Sequence, residues 1–196
     1  MSEPGGIVVG EDGLPRCPWG LSTPDYVAYH DQEWGRPVHG DDALFERVCL
    51  EAFQSGLSWI TILRRREGFR AAFDDFRIDA VAAFTGADQA RLLADAGIIR
   101  NRAKIAAAID NAIAAREVRE SYEGGLDGLI WSYAPDPATR PAPVTAAEVP
   151  ATTAESLALA KDLKKRGFRF VGPTTAYALM QACGLVNDHL AGCSNR

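Results

Sequence analysis

Apolar residues recur with a helical period along most of this chain. From Asp41 or Asp42, either a suitable N-cap, Leu44, Phe45, Val48, Cys49, Ala52 and Phe53 make one stripe, which places Cys49 in the core. Gly56 breaks that helix, and Ser58 opens another that ends in Arg64, Arg65 and Arg66. Phe69, Ala72 and Phe73 form a short stripe, and Val81, Ala82 and Phe84 a second. Thr85 and Asp88 have the spacing of a capping box ahead of Leu92 and Leu93. Gly97 stops that helix, after which Ile105, Ile109, Ala112 and Ile113 stripe a long alanine-rich one. A short helix is predicted from Leu126 to Trp131, and Pro135, Pro137, Pro141, Pro143 and Pro150 mark a loop. Thr152 with Glu155 predicts the cap of the next helix, which ends at Gly167, and Gly172 with Pro173 opens the last. No alternating strand pattern of useful length and no internal repeat occurs, so the expected fold is all-α. Residues 1–14, with Gly5, Gly6, Gly10 and Gly13 among acids, read as a mobile leader, leaving 15–196 as a single helical domain.

Composition narrows the picture. With 196 residues, 47% of them hydrophobic, the chain can bury one proper core. A formal charge of −5 excludes a protein that coats nucleic acid through bulk charge, so any such contact must use local clusters. Lys161, Lys164, Lys165, Arg166 and Arg169 form one, against the single acid Asp162, and Arg100, Arg102 and Lys104 form another. No apolar run is long enough to span a bilayer, and the basic-then-apolar order of a signal peptide is missing. A cytoplasmic protein with no membrane partner is expected. Four cysteines are too few for a disulfide scaffold at this size.

Several residues carry candidate chemistry. The turn from Gly167 to Gly172 between two helices is a helix-hairpin-helix candidate, whose backbone N–H groups and nearby cations suit a phosphate. An ordinary turn with a solvated basic face is the other reading. Cys17 and His30 near one end, with His189 and Cys193 near the other, supply the four ligands of a closed tetrahedral zinc site. His189 and Cys193, at i and i+4, would share one face of a helical turn. A core cysteine with surface histidines fits the same spacing. Glu51 falls at the margin of its stripe, where a carboxylate is partly desolvated and needs an Arg, water or a purpose. Leu57 and Trp59 stand at a glycine turn, suited either to the core or to stacking on a planar ligand. His39, in a polar turn, is expected in solvent.

Long motifs then bring a family into view. Tyr26 to Gly35 reads Tyr-Val-Ala-Tyr-His-Asp-Gln-Glu-Trp-Gly, Gly56 to Thr61 reads Gly-Leu-Ser-Trp-Ile-Thr, and Ala96 to Arg102 reads Ala-Gly-Ile-Ile-Arg-Asn-Arg. Lys164 to Gly172 reads Lys-Lys-Arg-Gly-Phe-Arg-Phe-Val-Gly, and Met180 to His189 reads Met-Gln-Ala-Cys-Gly-Leu-Val-Asn-Asp-His. From Arg16 to Cys193 the sequence resembles the 3-methyladenine DNA glycosylase I family of the helix-hairpin-helix glycosylase superfamily.

The resemblance implies one structural zinc ion on Cys17, His30, His189 and Cys193, joining the two terminal segments. It implies base recognition and catalysis at Glu51, a pocket of Trp19, Tyr26, Tyr29 and Trp59, and a DNA wedge at Gly56 and Leu57. Lys165, Arg166, Arg169 and Gly172 would meet the DNA backbone. The implied activity is monofunctional hydrolysis of the N-glycosidic bond of 3-methyladenine by base flipping, without a Schiff base. The implied partner is double-stranded DNA containing alkylated bases, bound by a monomer. Asp188 is expected to cap the turn and orient His189. Two other functions compete: a non-enzymatic module that binds DNA or alkylated bases, and a zinc hydrolase, which would need a metal with only three protein ligands.

Overall fold

The structure, a computed structural model, describes residues 5–196. Ten α-helices occur among the described residues. The first five are α1 (Pro24–Gln32), α2 (Asp41–Gln54), α3 (Trp59–Leu63), α4 (Arg66–Ala72) and α5 (Ile78–Ala82). The others are α6 (Gly86–Ala94), α7 (Arg102–Ser121), α8 (Gly125–Trp131), α9 (Ala154–Lys165) and α10 (Pro173–Ala182). None is long and apolar enough to cross a membrane.

The core gathers around α2, whose Leu44, Phe45, Val48, Cys49 and Phe53 are buried as their period predicts. Burying Phe45 or Phe53 contributes about 1.5–3 kcal/mol each. Helices α7, α8 and α10 pack on α2, and α9 lies along α10. Alanines 107, 108, 112, 114 and 115 keep the buried side of α7 slim against its neighbours. The capping box of Thr85 and Asp88 forms as expected. That of α9 sits one residue later than the sequence predicts, on Thr153 and Ser156.

Other start signals act between helices. Neither Asp41 nor Asp42 caps α2; Gly40 holds that position, at a φ of 94° that favours glycine. Asp42 instead accepts the first amide of α5, from Ile78 at 3.0 Å, and Asp41 accepts the Asp127 amide of α8 at 2.9 Å. Good capping residues serve any exposed helix start within reach, and sequence distance does not say which.

The expected leader needs correction. Its residues 1–4 lie outside those described, but from Gly5 onward it joins the folded body. A small antiparallel ladder pairs β1 (Val8–Val9) with β2 (Pro15–Arg16), so the fold is mostly helical rather than all-α. Strands of two residues are too short to show alternation. Ile7 packs on Cys17, Leu190 and Cys193, and the buried Arg16 bonds to both Asp12 and Asp31.

Helix α7 is the spacer that sets the site. Near its start, Lys104 donates to the carbonyls of Phe53 at 2.8 Å and Ser55 at 2.5 Å, closing the C-terminal end of α2 with a cation. Seven residues on, Asn111 grips the backbone of Arg169 in both directions. The two residues share one face of α7 about 10 Å apart. They hold the 55–58 loop and the 167–172 turn on that face.

Candidate active site

Four ligand atoms converge where the chain's two terminal segments meet. Those of Cys17, His30, His189 and Cys193 all lie within 4.8 Å of one another, and all four residues are buried. Cys17 Sγ stands 3.8 Å from His189 Nδ1, and Cys193 Sγ stands 3.6 Å from His30 Nε2 and 3.5 Å from His189 Nδ1. Tetrahedral zinc with ordinary Zn–S and Zn–N bonds places S and N about 3.6 Å apart. The set therefore fits the metal.

The outer contacts agree. His30 Nδ1 donates to Asp31 at 2.7 Å and His189 Nε2 donates to the Trp34 carbonyl at 3.1 Å, leaving the other nitrogen of each ring facing the cluster as a lone pair. Burial lowers His189 to about 4, keeping it neutral as a ligand must be. Leu190 donates its N–H to Cys17 Sγ at 3.3 Å. Glycines make the space: a Cβ on Gly20 would lie 2.8 Å from the His30 ring, and one on Gly35 3.1 Å from that of His189. The helical turn expected across His189 and Cys193 does not form. The segment is a loop in which Asn187 Oδ1 accepts the His189 amide.

Above this knot opens a cavity of about 420 Å³, with Cys17 and Leu190 in its floor. Trp19 touches Tyr26 edge-on at 5.7 Å between ring centroids, Tyr29 at 6.3 Å and Trp34 at 5.0 Å. Tyr29 lies 5.4 Å from Trp59. The Tyr26 hydroxyl accepts the Ile60 amide at 3.0 Å, tying α1 to the start of α3 and so placing Trp59. All four expected pocket aromatics therefore line one wall. Trp34, in the same sequence run, carries no local signal of its place; it packs against the rings of both His30 and His189.

Glu51 lines the same cavity at only 6% exposure. Burial pushes its carboxyl up to about 8, against the pull of Arg47 one turn earlier. Ser22, Gln54, Gln181 and Asp188 add further polar groups to the lining. Asp188 does not cap the turn beside His189, a task that falls to Asn187. Its buried carboxylate instead accepts from the Tyr177 hydroxyl, from Gln181 Nε2 at 2.9 Å and from Arg140 at 3.1 Å. This ties the proline-rich loop to α10, a long-range pairing with no local signal in the sequence.

Between the cavity-lining Gln54 and Trp59, Leu57 is 40% exposed after Gly56, whose φ is 78°. At the other segment, α9 ends in a Schellman motif: Phe168 donates to Leu163 at 3.0 Å and Gly167, at φ 96°, to Lys164 at 3.1 Å. Lys165 is exposed and Gly172 precedes α10 with open space around its Cα. Arg169 is half-exposed and paired with Asp110 at 2.6 Å. Arg166 is taken up within the fold, bonding Asp162 at 3.1 Å and lying over the Tyr122 ring.

A helical body with an aromatic-walled cavity and a buried carboxyl in its lining has the surfaces that suit a flat ring. Comparison with known proteins sharpens this. A family model described as Methyladenine glycosylase matches residues 19–196. The DNA-3-methyladenine glycosylase 1 of Escherichia coli is 49% identical over 180 residues, covering 92% of this chain and 96% of the relative. A crystal structure of a 3-methyladenine DNA glycosylase I superposes with a TM-score of 0.84 at 47% identity, covering 91% of this chain and 98% of the other. A structure concerned with how the Staphylococcus aureus 3-methyladenine DNA glycosylase I recognises 3-methyladenine gives 0.84 at 34% identity, covering 92% and 95%. The chain belongs to the methyladenine glycosylase family.

Proposed function

We propose that the chain is a DNA-3-methyladenine glycosylase, which hydrolyses the N-glycosidic bond of 3-methyladenine in alkylated double-stranded DNA. The observation that carries this reading is Glu51, buried in the lining of an aromatic cavity whose other lining residues include Gln54 and Trp59, on either side of the exposed Leu57 in the chain.

A base within a duplex is out of reach, so it must rotate out of the stack while an apolar side chain fills the gap. Leu57, presented by Gly56 on a loop that Lys104 anchors, serves as that wedge. The α9–turn–α10 unit serves as a helix-hairpin-helix, with Lys165, Arg169 and the Gly172 backbone on phosphates and Arg166 holding the end of α9. The two elements stand on one face of α7, so one stretch of duplex meets both, and a monomer suffices because every part comes from one chain.

In the nucleotide 3-methyladenine is positively charged. Trp19, Tyr29 and Trp59 offer ring faces to it, and Glu51 offers charge in a dry site. When the bond to the sugar breaks, its electron pair returns to the base, which leaves neutral. The sugar keeps oxocarbenium character until water adds at the anomeric carbon and loses a proton. Selecting and holding the lesion thus supplies much of the catalysis. No lysine lies among the cavity-lining residues, consistent with direct hydrolysis rather than a Schiff base.

Cys17, His30, His189 and Cys193 would hold one zinc ion, which cross-links the terminal segments beneath the cavity floor. With four protein ligands its part is structural.

The test is chromatography of bases released from methylated duplex DNA by wild type and Glu51→Gln. Release of 3-methyladenine that falls sharply in the variant, with DNA binding retained, supports the reading. A folded, zinc-loaded wild type that binds DNA and releases nothing would leave only a binding module.

A further inference from the structure

Arg47 is the charged group nearest Glu51 that the proposed chemistry does not yet use. It lies on α2 one turn before Glu51, so the two side chains share a face, and it is 14% exposed. Its Nη2 reaches Glu33 Oε2 at 3.3 Å. Arg66 already grips that carboxylate with two shorter bonds, 2.5 Å and 2.8 Å. The Nη1 of Arg47 is buried without a hydrogen-bond partner among the described residues.

Arg66 takes Glu33 by two bonds and also feels Glu46, so Arg47 holds the weaker share of Glu33 and its second terminal nitrogen is unanswered. The next acid on its helix face is Glu51. Other elements supply no competing charge to Glu51: Tyr29 faces it from α1 and Cys183 from the end of α10, with burial pushing the Cys183 thiol up to about 12. Across the cavity, Asp188 is already answered by Arg140.

We propose that Arg47 is a positioning residue, aimed toward Glu51 by the clamp of Glu33 and Arg66, that favours the ionised form of Glu51 when the cationic base enters the cavity. This rests on the reading of Glu51 as the base-recognition group. Glu33 then sets the strength of the effect, since it draws on the same guanidinium.

The experiment uses the full chain with Arg47→Met, Arg47→Lys and Glu33→Gln. Glu51 is titrated by carboxylate carbon NMR, and kcat/KM for 3-methyladenine release from methylated duplex DNA is followed against pH. Removing an opposite charge one helical turn away raises a carboxyl by roughly one pH unit or more. Arg47→Met should therefore move the Glu51 titration and the acid limb of kcat/KM upward together. At pH 7 the rate should fall about tenfold or more, recovering at alkaline pH. Arg47→Lys should restore most of it. Glu33→Gln, which frees both guanidiniums, should move Glu51 downward, a reversal of sign that general loosening does not produce; it also decides the matter if Arg47→Met fails to fold.

A Glu51 titration unmoved by these changes would overturn the inference and leave the glycosylase reading intact. A titration that moves while kcat/KM falls equally at every pH would also overturn it. Loss of the glycosylase reading itself would show separately, as a wild type that releases no base.

Discussion

Asn111 and Arg169 exchange two hydrogen bonds across 58 residues of sequence. The Arg169 N–H donates to Asn111 Oδ1 at 2.7 Å, and Asn111 Nδ2 donates to the Arg169 carbonyl at 3.1 Å. The side chain thus acts as a backbone partner for a turn that has no strand beside it, and it is fully buried while doing so. Asn111→Ala leaves both groups unanswered and should lower unfolding stability by roughly 1–3 kcal/mol in urea denaturation. It should weaken binding to unmodified duplex while sparing affinity for free 3-methyladenine. Equal losses of both affinities would show that the turn and the cavity are not separable.

Leu57 gives the complementary case. Its exposure means that Leu57→Ala should change stability by no more than about 0.5 kcal/mol. If it wedges the duplex, release of 3-methyladenine from double-stranded DNA should drop roughly ten- to a hundredfold, because unstacking a step costs a few kcal/mol. Release from a single strand should be little affected. The ratio of the two rates is the measurement.

Glu51 should tie stability to pH. Burial raises its carboxyl from an ordinary 4.5 to about 8, so between those values the folded chain keeps a proton that the unfolded chain has released. The stability this represents is present in full below about pH 4.5. It is lost as pH rises to about 8, at about 1.4 kcal/mol per unit. Glu51→Gln should therefore melt higher than wild type at pH 8.5, and the gap should close toward pH 5. A gap constant across that range would mean that Glu51 is solvated.

Stripping the metal should lower the melting temperature sharply, since four buried ligands would lose the ion that reconciles them. Trp34 packs against both histidine rings, at 6.5 Å from His30 and 4.7 Å from His189. Tryptophan emission should change with chelation and return when zinc is added. Metal analysis should find one zinc per chain, and Cys193→Ser should reduce its retention.

What could be read from the sequence divides along physical lines. The period of Leu44 to Phe53, the box of Thr85 and Asp88 and the glycine stop at Gly167 are local signals, and each formed where expected. Asp41 and Asp42 misled because their carboxylates cap α8 and α5, which only packing brings near. The N-terminal ladder was invisible because two residues carry no alternation. The family resemblance implies Trp19, Tyr26, Tyr29, Glu51 and Trp59 as one pocket, with Glu51 and Trp59 also marked by their local pattern, and the fold brings all five to one cavity. Arg47 and Arg140 carry no local signal, because an arginine's partner is set by tertiary geometry. Asp188 stands beside His189 in sequence, but its side chain faces the cavity rather than the turn.

The cysteine–histidine cluster also has a consequence in time. Cys17 and His189 stand 172 residues apart, and at ordinary rates of synthesis roughly 10–30 s separate their appearance. Trp19, Tyr26 and Tyr29 are thus made early, together with Cys17 and His30, whereas His189 and Cys193 follow much later. A nascent chain therefore carries the aromatic wall before Leu190 and the second half of the cysteine–histidine cluster exist to complete the cavity beneath it.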